Sequence, residues 1–395
     1  MKDKRVLFVT GNYLQHTAPN GICVEKILEC LGDYPITYDI VCTEYQSFDS
    51  QPQNVYPVYY HLSNNKISKI KNKTKKFFQI PINHKYLVRK LKMQVEELVQ
   101  KKRYDAVIAV VNPTETAEAV YKVKSKIPYI NFILYEIDPA SNRYKYPKNL
   151  IEEYSNYKSA KWEKKIYSVA NTVIHMKTHK RHFSDKKYRD FEDKTIYLDI
   201  PSFYFTDSIK NIEKTGDKTN LIYAGAFYPV LREPDYMIAS LAKVYETNKS
   251  INLSIYTHTM TQKLKLLSKK HNFKFEINEP VSQEKIQSTL YENDILISIG
   301  NHQSDFLPSK VLSYISTCKP VIHFYSDSHD ASLPYFKKYG NALLLDINMP
   351  IEKCALLICK FIEDSKNYYV NIEKLKSDFI ENSPVFTAKK IMELL

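Results

Sequence analysis

The chain has 395 residues, 44% of them hydrophobic, and a formal net charge of +13. That length suits two domains of roughly 150–200 residues each, and the apolar content supports real cores. The six cysteines are scattered, with no CxxC pair and no histidine cluster. This excludes a zinc site and a disulfide framework and leaves buried, reduced thiols. No span approaches the roughly 20 apolar residues of a transmembrane helix. The N-terminus reads as a core strand without a signal-peptide cleavage pattern, so a cytoplasmic location is expected. The charge asks for an acidic partner: phosphates, a membrane surface or nucleic acid.

In chain order, residues 5–10 read as a buried strand. Gly11, Asn12, Tyr13, Leu14, Gln15 and His16 follow, then Gly21 at the start of an amphipathic helix near 22–31. Strand, loop and helix make a Rossmann-type unit, but the GxGxxG fingerprint of nicotinamide binding is absent. Residues 36–43 and 54–62 read as further strands. The stretch that opens at Lys66 and closes at Arg103 holds thirteen Lys and Arg against two Glu. Ile67, Ile70, Phe77, Phe78 and Ile80 are interleaved with the charge, and Leu87, Leu91, Val95 and Leu98 form a helical stripe. A solvated helix face and a basic amphipathic surface on anionic lipid both fit this pattern. Nucleic acid is not expected, because no DNA- or RNA-binding signature accompanies the charge.

Residues 105–111, 128–134, 172–176 and 195–200 read as strands, with helices over 114–126 and 149–170. Asp138 follows a strand end, where it either faces a ligand or caps a turn. His175 ends another strand and is either a site residue or structural. Residues 201–219 are polar, contain Gly216 and Asp217, and lack an apolar period, which marks a boundary. Strand–helix alternation then restarts at 220–227, a strand containing Gly225, and continues through 251–257, 273–277, 295–299, 321–325 and 342–346. Such alternation predicts an α/β fold with parallel, doubly wound sheets.

The densest signal follows residues 295–299. Gly300 ends this strand, a polar loop runs from Asn301, and Pro308 suits the first turn of a helix. Val311, Leu312 and Ile315 share one helix face, while Ser309, Lys310 and Ser313 share another. Loops at the carboxyl ends of parallel strands bind ligands in open α/β sheets. Free N–H groups at a helix start favour an anion. Lys310 adds a cation, and Asp305 is placed to accept hydrogen bonds from sugar hydroxyls. A sugar diphosphate is the natural guest. No Asp-x-Asp motif occurs, so no metal is required.

The run GNHQSDFLPSKVLSYISTCKPVI, residues 300–322, resembles the donor-binding segment of retaining glycosyltransferases of GT-B fold. These belong to the large family-four group, and the likeness is to its bacterial polysaccharide-assembly branch. The resemblance implies two Rossmann-like domains facing across a cleft. The first, residues 1–205 with about 384–395 returning to it, would hold the acceptor. A linker, 206–218, would lead to a nucleotide-sugar domain, 219–383. In that family two acids eight apart touch the donor sugar and the ribose. Asp305 fills the first position, and Ser313 stands at the second. Cys318 stands where many relatives have glycine.

The resemblance extends to YAGAFYPVLREPDYMI, residues 223–238, which matches the family's first strand and loop. There Arg232 matches the basic residue that reaches the diphosphate, and Gly225 lies at the strand end. Val281 falls in the segment that resembles the base-reading loop, so its main chain is expected against a uracil. Gly21 matches a glycine near the donor phosphates, or is an ordinary turn residue. The implied catalytic set is Asp305, Lys310 and Arg232. The donor side adds Gly21, Gly225, Val281, Asn301, Pro308, Ser309 and Ser313. Acceptor-side candidates are Asn12, His16, Asp138 and His175.

The expected activity is sugar transfer with retention from a nucleotide sugar, with uridine as the expected base. The acceptor would be a lipid-linked glycan in the assembly of cell-surface polysaccharide, as in a capsule or exopolysaccharide. No metal or cofactor is expected. Residues 66–103 would hold the protein at the inner face of the plasma membrane. Two rivals stay open. A non-catalytic nucleotide-sugar-binding subunit is motivated by Ser313, and a nucleotide-sugar epimerase can use the same paired architecture.

Overall fold

The computed structural model describes residues 3–14, 19–45, 51–60, 80–141, 149–204, 218–301, 306–308, 310–366 and 370–395. It divides into two compact units, Met1–Ser202 with Glu381–Leu395, and Phe203–Ile380.

The first unit is built on seven strands: β1 (Lys4–Gly11), β2 (Ile36–Glu44), β3 (Val55–Tyr59), β4 (Ala106–Val111), β5 (Phe132–Glu136), β6 (Thr172–Met176) and β7 (Thr195–Leu198). They lie in the order β3-β2-β1-β4-β5-β6-β7, all parallel. Side chains alternate across a strand. Leu7 and Val9 therefore enter the core that includes Leu87, Leu91 and Val120, while Val6 and Phe8 enter another with Val24, Ile27 and Leu31. A sheet covered on both faces explains why these strands read as continuous apolar runs. The principal helices are α1 (Pro19–Leu31), α2 (Lys85–Lys101), α3 (Thr114–Lys124) and α4 (Leu150–Val169). α2 buries Leu87, Val88, Leu91, Val95 and Leu98, the stripe that the sequence shows. The last helix, Pro384–Glu393, packs Ala388 and Ile391 against the α1 side of the first unit. There Lys4 Nζ donates to the Leu395 carbonyl at 2.5 Å.

The second unit has six strands: β8 (Thr219–Ala224), β9 (Ile251–Tyr256), β10 (Glu276–Asn278), β11 (Ile295–Ile299), β12 (Val321–Tyr325) and β13 (Ala342–Asp346). Their order is β10-β9-β8-β11-β12-β13, again all parallel. The helices that matter below are α5 (Asp235–Thr247) and the short α6 (Lys310–Ile315). In both sheets strand order reverses beside the first strand, between β1 and β4 and between β8 and β11. Doubly wound sheets bind ligands outside the carboxyl ends of their strands at such a reversal.

Three boundaries differ from the sequence reading for physical reasons. β5 starts at Phe132 rather than at 128, because 125–130 form turns after α3. β8 ends at Ala224, because Gly225 turns away at φ +150°. β10 starts after Phe273, whose buried ring packs on Tyr245 and Phe275. All six cysteines are free, with Cys23, Cys42 and Cys354 buried and the other three partly so. Among the described residues, no helix is long and apolar enough to cross a membrane.

Candidate functional site

At the strand reversal of the second unit, β8 and β11 deliver two loops and α6 to one place. α6 begins at Lys310, and Pro308 precedes it, with the Val311 N–H donating to the Pro308 carbonyl at 3.0 Å. Lys310 Nζ donates to the Ala224 carbonyl at 3.0 Å and sits 4.1 Å from the centroid of the Tyr223 ring. Tyr314, one helical turn on, places its ring 5.9 Å from the same ammonium. A Cβ on residue 225 would stand 2.6 Å from Lys310 Nζ, so glycine is what lets the ammonium approach β8 this closely.

Arg232 reaches the same place from the β8 loop. Its Nη2 donates to Asn301 Oδ1 at 2.6 Å and its Nη1 to the Ala226 carbonyl at 3.4 Å. Asn301 is itself held by donating to the Phe306 carbonyl at 3.2 Å. Among the described residues, buried Arg232 Nε has no partner. Among the described residues, neither Lys310 nor Arg232 has an acidic partner. Burial first, and the neighbouring guanidinium second, push the Lys310 pKa well below the usual lysine value. The full positive charge expected on Lys310 is therefore disfavoured until an anion arrives to pair with it. A cavity of about 350 Å³ opens beside Arg232, and its lining includes Glu233, Asp235, Tyr236, Gly300, Phe324 and Ser326.

Behind that cavity lies a polar cluster. The Asp330 carboxylate packs so closely on Gly300 that no side chain fits there. Asp330 accepts from the Ser332 N–H at 2.7 Å, and His323 Nε2 lies 3.5 Å from its other oxygen. Val281 is exposed on the loop ahead of the helix capped by Ser282, and Ser313 is half-buried on α6.

The first unit gathers its polar groups differently. Glu136 ends β5 and His175 is the last residue but one of β6, with His175 Nδ1 at 3.1 Å from Glu136 Oε2. The Tyr167 hydroxyl donates to the same oxygen in a short hydrogen bond. Glu163 accepts from the Ser141 N–H at 2.7 Å, the Ser141 hydroxyl at 2.6 Å and the Tyr188 hydroxyl at 2.5 Å. His182 Nε2 closes the set at 2.9 Å from Ser141 Oγ. Burial, with Glu136 nearby, lifts the Glu163 pKa to about 7. Burial drops His175 to about 3 and His182 to about 4, so both rings are neutral at physiological pH.

The candidate residues thus fall into groups. Arg232, Asn301, Gly225 and Lys310 come together. Asp305, Ser309 and His16 lie outside the described residues. His175 is 1% exposed and stacks on Phe183 with ring centroids 3.5 Å apart, whereas Asp138 is partly exposed, 3.9 Å from His179 Nε2. Gly21 lies against the end of β1: a Cβ there would be 2.7 Å from the Asn12 carbonyl oxygen. Asn12 has φ +47° and its N–H donates to the Thr43 carbonyl at 2.8 Å. Tyr223, Tyr314 and Glu163 escaped the sequence reading. Aromatic or acidic residues inside a helix or strand carry no local signal of the groups they meet.

No protein-family model and no curated protein sequence matches the chain. Solved structures do match it over nearly its whole length. The lipopolysaccharide outer core galactosyltransferase WaaB superposes with a TM-score of 0.58 at 12% identity, covering 99% of this chain and 98% of that one. An E. coli trehalose-6-phosphate structure bound with UDP-2-fluoro glucose gives 0.60 at 8% identity, covering 99% of each chain. A UDP-N-acetylglucosamine 2-epimerase from Listeria monocytogenes gives 0.53 at 11% identity, over 98% of this chain and 94% of that one. With its sheets of seven and six parallel strands, the chain has an α/β fold of the GT-B type.

Proposed function

We propose that the protein is a glycosyltransferase whose second unit binds a nucleotide sugar, with uridine as the base. The observation that carries this is the Lys310–Arg232 pair: two adjacent, withdrawn cations at a strand reversal, neither of them in an ion pair among the described residues. Burying like charges together is costly, and a diphosphate supplies the missing counter-charge. As the sugar–phosphate bond breaks, negative charge grows on the leaving diphosphate, and fixed cations oppose it. The sugar becomes oxocarbenium-like, and Asp305 is assigned to its hydroxyls. Transfer would occur with retention and without a metal. The acceptor would be a lipid-linked glycan in cell-surface polysaccharide assembly, with Asn12, His16 and Asp138 on its side. The solved GT-B structure with a bound UDP-sugar analogue supports the donor class.

The test is thermal and chemical. UDP should raise the melting temperature, with a gain of about 2.7 kcal/mol at 100 times Kd. Nucleotide diphosphate should be released from a UDP-sugar only when acceptor is present, and the product's anomeric proton should report retention. No melting shift with any nucleoside diphosphate at millimolar concentration would sink the donor site. A second reading, epimerase, rests on the likeness in fold to a UDP-N-acetylglucosamine 2-epimerase. It predicts isomerised UDP-sugar with no acceptor present. Binding of UDP without either turnover would point to a non-catalytic subunit.

A further inference from the structure

A second cavity, of about 510 Å³, lies in the first unit among α2, α3 and α4. Six cations surround it: Lys85, Arg89 and Lys92 from α2, Lys122 from α3, and Lys158 and Lys165 from α4. The spacing explains this concentration. Positions 85, 89 and 92 share one helix face, as do 158, 162 and 165. The one carboxylate in the lining is already engaged. Glu118 accepts from Trp162 Nε1 at 2.9 Å, and its oxygens lie 3.1 Å from Lys165 Nζ and 3.4 Å from Lys122 Nζ. Lys92 is paired with Glu96 at 2.9 Å. Among the described residues, Lys85, Arg89 and Lys158 have no acidic partner.

The wall that carries Ile80 and Pro81 is fixed in place. Glu115 accepts from the Asn83 and His84 N–H groups, each at 2.8 Å, and Thr114 Oγ1 donates to the Pro81 carbonyl at 2.8 Å. Beside the cavity the same two helices expose apolar side chains. Leu150 is 82% exposed and Ile151 63% on α4, and Tyr86 is 65% and Met93 58% on α2. Ile151 lies on the α4 face that carries Lys158, two turns earlier. A preformed cationic cavity flanked by exposed apolar residues has the chemistry of an interfacial site, with charge at headgroup depth and apolar groups below it.

We propose that this cavity is a docking site for an anionic phospholipid. The headgroup phosphate would lie among Lys85, Arg89 and Lys158, with Leu150, Ile151, Tyr86 and Met93 against the acyl region. Half of the cations lie outside the basic stretch between Lys66 and Arg103, so the fold creates the site by adding α3 and α4 to it. The site does not depend on donor binding by the second unit, and UDP-induced stabilisation serves as the separate control for that unit.

Trp162, the only tryptophan in the chain, lines the cavity, so its fluorescence reports on this place directly. Full-length protein would be titrated with phosphatidylcholine vesicles containing phosphatidylglycerol, and with phosphatidylcholine alone. Anionic vesicles should shift the Trp162 emission and neutral ones should not. Each neutralised cation should weaken binding about fivefold, so Lys85→Gln with Lys158→Gln should lose roughly 25-fold. A charge-matched control elsewhere on the unit, Lys186→Gln with Arg189→Gln, should lose under about twofold, since charges beyond a Debye length are screened. Ile151→Ser should also weaken binding and leave UDP stabilisation intact. Equal losses in the cavity pair and the control pair would overturn the site in favour of net charge. A Trp162 response to millimolar inorganic phosphate without vesicle binding would overturn the lipid and assign a soluble phosphate compound instead.

Discussion

The two sheets end in polar clusters of opposite sign and opposite logic. In the first unit the buried groups are acids, and the protein supplies their partners: Tyr167 for Glu136, and Ser141 and Tyr188 for Glu163. In the second unit the withdrawn groups are cations, and the protein gives Lys310 one carbonyl and two aromatic faces and no acid among the described residues. A buried acid met by hydroxyl and amide donors is holding structure together. A withdrawn cation with no counter-ion among the described residues is waiting for a ligand. The same fold carries both, so exposure and residue type alone do not separate them; the kind of partner does.

The largest effect should come from breaking the incomplete side. Lys310→Met should lower nucleotide release roughly 10²–10³-fold at saturating donor and acceptor, while the ligand-free protein melts no lower than wild type. Removing the cation relieves its desolvation cost, which offsets the lost contacts to Ala224 and Tyr223. A well-folded variant with wild-type turnover would remove Lys310 from the mechanism.

On the complete side the expectation reverses. Glu163→Ala strands three donors, from Ser141 and Tyr188, and should destabilise the first unit by about 3 kcal/mol in denaturant melts. UDP stabilisation of the second unit should persist. Unchanged stability would show that those donors find other partners and that the set is not structural.

Proton linkage sharpens the contrast further. Diphosphate binding should draw a proton onto Lys310, because burial depresses its pKa in the free protein and the anion restores it. UDP affinity should therefore fall as pH rises through the lysine's depressed pKa. Calorimetry in two buffers of different ionisation heat should show proton uptake that disappears in Lys310→Met. In the first unit the signs differ by group. His175 and His182 are depressed to about 3 and 4 from 6.5, so the stability tied to them is lost as pH falls below 6.5. Glu163 is raised from 4.5 to about 7, so its contribution is lost as pH rises through that window. Glu163→Gln deletes the opposing proton. The fall in stability on acidification below 6.5 should then steepen by about 1.4 kcal/mol per pH unit. An unchanged slope would mean that Glu163 is ionised in the folded state.

The smallest expected effect is at Asn301→Ala. Arg232 loses one hydrogen bond, worth about 1 kcal/mol, and keeps its carbonyl contact. Donor KM should rise a few-fold with little change in kcat.

Much of this fold was legible because both faces of each sheet are covered. Residues 172–176, 295–299, 321–325 and 342–346 are apolar runs that coincide with strands. The cationic pair was half legible. Lys310 followed from the strand–loop–helix pattern, and Arg232 only from the resemblance of residues 223–238 to the family's first strand and loop. That they come together beside Gly225 and Asn301 was not, because the clearance that a missing side chain at 225 leaves for the Lys310 ammonium is a three-dimensional fact. The sequence left open whether Asp138 faces a ligand or caps a turn. Its neighbour Glu136 was not legible, because Tyr167 and His175, which meet it, lie far along the chain and no local spacing links them to β5. Cys318 shows the reverse case. It adopts φ +59° where many relatives of the resembled family have glycine, so the left-handed turn after α6 persists without the residue best suited to it.

The helix Pro384–Glu393 lies against α1 although more than 350 residues separate them. On the ribosome, then, the first sheet emerges early but waits for its last piece until the whole second unit has been made. The second unit is continuous in sequence and able to close as soon as it leaves the exit tunnel. Order of synthesis and order of completion are thus inverted, and the early-made half spends the longest time with an open apolar face. That half is where a nascent chain of this protein would most need a chaperone.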